Sequence, residues 1–141
     1  MLNLKFEDKV KVWKDLRSDL ETHPKPFQRL LNFVNTLPMS SQKVNPWDPK
    51  TQVQPWELIE KGSFTNYEFS LLICYTLQLT DRFSDSQIEI HISKNIKNNE
   101  QLYLVYLDNT VVIGYGNNVI RVEELPTYII SERVYCMPKL H

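Results

Sequence analysis

Gly62-Ser63-Phe64-Thr65-Asn66-Tyr67-Glu68-Phe69, followed by the apolar run Ser70-Leu71-Leu72-Ile73-Cys74-Tyr75-Thr76-Leu77, decides how this chain is read. Thr65-Asn66-Tyr67-Glu68 has the spacing of a capping box. In that motif the Thr65 hydroxyl accepts from the Glu68 amide and the Glu68 side chain reaches back to the start of the helix. Phe64 and Phe69 flank the cap at the positions of a hydrophobic staple. From Phe69 to Leu79 the segment is apolar nearly all round, which predicts a buried central helix.

On the N-terminal side, Phe6, Val10, Trp13, Leu16 or Arg17, and Leu20 recur at spacings of three and four, the mark of an amphipathic helix. His23-Pro24-Lys25-Pro26 ends it, because proline removes a donor and disfavours helix at the residue before it. Phe27, Leu30, Leu31 and Val34 form a second stripe that stops before Pro38. Residues 38–55 hold Pro38, Pro46, Pro49 and Pro55 and read as a long ordered loop, pinned to the body by Trp47 and Trp56. Pro55 to Lys61 is expected to be a short helix with proline in its first turn.

After Asp85 the period changes to two. Ile88, Ile90 and Ile92 alternate with polar residues, as in a half-buried strand. A polar turn spans Asn95 to Glu100, and the runs Gln101–Leu107 and Thr110–Tyr115 then form a hairpin about Asp108-Asn109. Gly116-Asn117-Asn118 turns into Val119–Val122, and a last strand covers about Ile129 to Met137. Helices gathered first and antiparallel strands after them make the expected class α+β.

Composition narrows the range of functions. A chain of 141 residues that is 42% hydrophobic is one globular domain, not a disordered tail. Sixteen basic against seventeen acidic residues, a net charge of -1, argue against nucleic acid as the partner, since phosphate binding needs a concentrated basic surface. The N-terminus has no basic and apolar leader pattern, and no run approaches a membrane span, so a soluble, cytoplasmic protein is expected. Cys74 and Cys136 form neither a metal-ligand spacing nor a disulfide framework.

The order of elements, with the apolar helix approached through Gly62, resembles the transglutaminase-like superfamily, nearest the bacterial transglutaminase-like cysteine proteinases. Those proteins carry a V-N-x-x segment at a helix end, a loop, a short helix, and G-D-C-E-D-Y-A at the start of the central helix. Here Phe33-Val34-Asn35, Pro55-Trp56-Glu57-Leu58-Ile59 and Gly62–Leu77 fall in that order, and the likeness covers about residues 27–125. The resemblance implies a transglutaminase-like or papain-like core but not its chemistry. Matching Gly62 and Tyr67 puts Ser63 at the first acidic position, Phe64 at the nucleophile, and Thr65 and Asn66 at the next two acidic positions. The histidine position falls on Leu102 or Gln101, and the aspartate position near Gly114. In the active family a thiolate sits at the helix N-terminus, where the dipole and a histidine lower its pKa. An aromatic ring at Phe64 would fill that space.

The expectation is a single domain, residues 1–141, that lacks the Cys-His-Asp triad and needs no cofactor or metal. It would act as a protein-binding or adaptor module through the old substrate groove or the tyrosine-bearing sheet. Trp47, Trp56, Tyr103, Tyr106 and Tyr115 are the candidate contact residues. The alternatives are an enzyme with a relocated site, or a small structural or regulatory protein. Cys74 with His91 is the available relocated pair, but Cys74 lies about two turns past the helix start and His91 reads as an exposed strand residue. Asp81, Asp85 and Glu89 read as a solvated acidic connector, because no glycine-assisted cation loop accompanies them. His23 and His141 have no partner at ligand spacing.

Overall fold

The computed structural model describes residues 5–39, 54–61 and 63–139. Trp47, Gly62, His141 and most of the proline-rich loop lie outside the described residues. Four helices, α1 (Phe6–Leu20), α2 (Pro26–Val34), α3 (Pro55–Lys61) and α4 (Asn66–Gln78), precede five strands. These are β1 (Ile88–Asn95), β2 (Glu100–Leu107), β3 (Val111–Tyr115), β4 (Asn118–Arg121) and β5 (Ile129–Cys136). The class is α+β, with one five-stranded antiparallel sheet in the order β4-β3-β2-β1-β5.

Sequence explains the helix ends. Glu7 and Asp8 in the first turn of α1 and Arg17 in its last turn complement the helix dipole. Past Leu20 the Arg82 guanidinium donates to the carbonyls of Leu20 (3.1 Å) and His23 (2.8 Å). The Glu21 carboxylate in turn accepts from the amides of Asp81 (2.8 Å) and Arg82 (2.9 Å). The end of α1 is thereby tied to the segment that follows α4. One detail departs from the expected stripe: Phe6 is 42% exposed, and Lys9 is buried in its place. A helix this long buries a stripe only where neighbours cover it, and α3 covers the Lys9 turn, where the ammonium donates to the Glu60 carbonyl at 3.3 Å.

Helix α4 packs on β1 and β2, and the other three helices surround it. Every residue from Ser70 to Gln78 is buried or nearly so, so a helix apolar all round has found cover all round. Its buried Thr76 is paired on both sides: the Trp13 indole of α1 donates to the Thr76 hydroxyl at 2.8 Å, and that hydroxyl donates to the Leu72 carbonyl. The main core joins these helices to Ile88, Ile90, Val105 and Ile113 of the sheet. Among the described residues no helix is long and apolar enough to cross a membrane.

Turn chemistry sets the sheet. Asp108 and Asn109 have φ of 51° and 55°, and Gly116 and Asn117 of 58° and 59°, the left-handed pairs that close tight hairpins. From β4 at one edge the chain crosses the outer face to place β5 at the other. Val122 donates to the Thr110 carbonyl, and Tyr128 accepts from the Ile96 amide. Along the way Val122, Leu125 and Tyr128 pack on a second, smaller cluster of Leu104, Tyr106, Val112 and Ile129.

Candidate functional site

The start of α4 forms as its residues dictate. Thr65 is the N-cap, its hydroxyl accepting from the Glu68 amide at 3.2 Å while the Glu68 carboxylate accepts from the Thr65 amide at 3.0 Å. The rings of Phe64 and Phe69 lie 5.7 Å apart, completing the staple. Phe64 donates its amide to the Pro38 carbonyl at 3.0 Å and bridges to Met39, which fastens the chain leaving α2 to the start of α4. Its side chain is fully buried in the core. The residue that reaches open space is Asn66, at the first helical position.

Asn66 looks into a groove of about 440 Å³ between α2, α4 and the splayed ends of β2 and β3. Leu31, Val34, Phe69 and Ile73 give it an apolar floor, while Asn35, Asn66, Gln101 and Asn117 supply carboxamides. Leu102 and Gly114 both border it, but the Leu102 side chain packs in the outer cluster, so at the expected histidine position it is Gln101 that strand alternation turns to this face, while Phe64 faces inward. Among the described lining residues there is no cysteine, histidine or aspartate, and Glu100 is the one charged group. Ser70 and Tyr103 are the lining hydroxyls, and burial raises the Tyr103 pKa, so that phenol stays protonated.

The expected contact residues do not gather on one surface. Trp56, on α3, is 57% exposed. Tyr103 is half-buried on the helix side, its ring 5.9 Å from that of Tyr67. Tyr106 is buried in the outer cluster, and Tyr115 is half-buried beside it. Cys74 is fully buried, and desolvation pushes its thiol far above the ordinary range. Strand alternation puts His91 on the sheet face opposite Ile90, which packs in the helix-side core with Cys74, so the sheet separates the two groups.

His91 is not the exposed strand residue its polar alternation suggests. Its ring stacks on Tyr106 at 3.5 Å with 7° between planes, Nδ1 lies 2.8 Å from Ser131 Oγ, and Nε2 lies 3.4 Å from Glu89 Oε1. Burial lowers its pKa, and the hydrogen bond and charge of Glu89 oppose that shift. Cys136 Sγ donates to the other Glu89 oxygen at 3.4 Å, and that carboxylate raises the thiol pKa. This hydroxyl–imidazole–carboxylate chain joins two positions of β1 to one of β5 by hydrogen bonds. Glu89 and His91 at alternate positions were its only signal in sequence, since the Ser131 partner depends on where β5 docks. Asp81 donates its amide to Glu21, Asp85 lies 3.8 Å from Lys139, and Glu89 lies against His91. Among the described residues no three His, Cys, Asp or Glu side chains are arranged to hold a metal ion. The chain matches no protein-family profile and no curated protein sequence.

Proposed function

We propose that this chain is a non-catalytic, protein-binding domain of the transglutaminase-like type, which holds its partner in the groove beside Asn66. One observation carries the proposal. The positions the resemblance assigns to histidine (Gln101 or Leu102) and to aspartate (Gly114) border one groove with the N-terminus of the central helix, and the described lining has no nucleophile–base pair. The central helix packed on β1 and β2 supports the same likeness of architecture. An apolar floor ringed by carboxamides suits a polypeptide, which offers apolar side chains and main-chain donors and acceptors together. The acidic Glu100 does not favour phosphate. The groove is preferred to the tyrosine-bearing sheet because Tyr106 is buried.

Affinity capture with the intact chain and with Asn66→Trp, which puts an indole into the mouth of the groove, tests this function. A partner lost with Asn66→Trp and retained with Trp56→Ala is expected, with no turnover of peptide or amide substrates. Robust hydrolysis or transfer that Asn66→Trp abolishes would replace the proposal with an enzyme. A partner that binds both variants equally moves the site elsewhere.

A further inference from the structure

We propose that the groove takes its partner as an extended strand added to the open edge of β2; this rests on the groove being the binding site. The β2 ladder with β1 runs the whole strand, from Glu100 opposite Asn95 to Leu107 opposite Ile88. The ladder with β3 ends at Val105 opposite Ile113. At Gly114, with φ of 107°, the β3 backbone leaves that ladder and its register against β4 shifts. Among the described residues Glu100 to Leu104 are therefore paired to β1 on one side only, and all five line the groove.

The direction of the free main-chain groups follows from two bonds. Asp108 donates its amide toward β1, to the Gln87 carbonyl at 2.8 Å, whereas the Leu107 carbonyl accepts from Thr110 on the β3 side. Antiparallel strands alternate these directions residue by residue, so Gln101 and Tyr103 turn their N–H and C=O groups to the groove. The Tyr103 carbonyl is the nearest atom, at 3.8 Å, to where a Cβ on Gly114 would stand, so it points to the β3 side as expected but lies against Gly114, and Gln101 offers the more open pair. An unpaired sheet edge is a template for a further strand, and in this groove the template is walled and floored.

The lining also defines the occupant's chemistry. Alternate side chains of an added strand point to the floor, so Leu31, Val34, Phe69 and Ile73 select an apolar residue there. Glu100, the one charged group among the described lining residues, selects lysine or arginine at its end of the groove. The partner is thus an extended protein segment with an apolar anchor and a basic residue, not an acidic or phosphorylated one.

The test selects heptapeptides from a random library on the intact chain and measures their affinity by fluorescence polarisation with a backbone N-methyl scan. N-methylation at alternate residues is expected to weaken binding about two- to tenfold each, the worth of one hydrogen bond, with little effect at the residues between. Gln101→Pro removes only a groove-facing N–H, and a similar loss is expected at unchanged helix and strand content. Should that variant unfold, the N-methyl scan decides alone. Glu100→Lys is expected to reduce the preference for a basic end about two- to fivefold, as for an exposed ion pair. Peptides blocked by Asn66→Trp but indifferent to which amides are methylated would sink strand addition and leave the groove as the site. Failure to select peptides, or peptides that bind Asn66→Trp equally well, would sink both.

Discussion

On the helix-bearing face of the sheet Phe64, Leu71, Ile90 and Ile113 exclude water completely, whereas on the opposite face Glu89, His91 and Ser131 are joined by hydrogen bonds beside a much smaller apolar cluster. The first face gains stability from area and tight packing, which act at any pH. The second depends on a titratable ring and on β5 staying docked. Deletions on the first side should therefore be costly and insensitive to pH, and those on the second mild and sensitive to it.

The largest contrast is expected from Phe64→Ala, which removes a fully buried ring and should cost about 3–5 kcal/mol in denaturant melts at every pH tested. A loss below about 1 kcal/mol would mean that the staple is dispensable and the helix start less organised than described. Thr65→Ala removes one half of the capping box and should cost about 0.5–2 kcal/mol, with Thr65→Ser restoring most of it.

Ser131→Ala tests the other face and should cost about 0.5–1.5 kcal/mol, the range for one hydrogen bond. The pH dependence follows from the lowered pKa of His91. The unfolded chain takes up the imidazole proton near the ordinary 6.5, and the folded chain does so only at lower pH. The stability this neutral ring contributes is whole above that value and is lost as pH falls toward and through the folded pKa. Thermal melts between pH 7.5 and 5.5 should show that decline, and His91→Gln should flatten it. An unchanged slope would remove His91 from the account. The smallest effect is one of reactivity. Iodoacetamide should label Cys136 slowly at neutral pH and Cys74 not at all in the native protein, as read by intact mass. Rapid labelling of Cys74 would mean that the core around α4 opens and that the thiol is not held as described.

Much of this architecture is legible in local sequence because its causes are local. The Thr65–Glu68 box, the Phe64–Phe69 staple, Pro26 and Pro55 at helix starts, and the Asp108-Asn109 and Gly116-Asn117 turns act within a few residues. The groove was only half legible. The resemblance points to Leu102 and Gly114, which both border the groove, but it also points to Phe64, which faces the core while Asn66 faces the open space. A one- or two-residue difference at a helix start changes which side chain points outward.

The amino-acid order alone settles the element types, the capped central helix and the class of the fold, since periodicity, capping and turn preference belong to short segments. Packing alone settles that Lys9 is covered and Phe6 is not, that β5 docks against β1, and that His91 meets Ser131 40 residues away. Among the described residues it also leaves the N-terminal half of β2 with one unpaired edge. Those outcomes depend on contacts between distant segments, and a side chain's burial, partners and pKa follow from whatever comes to lie against it.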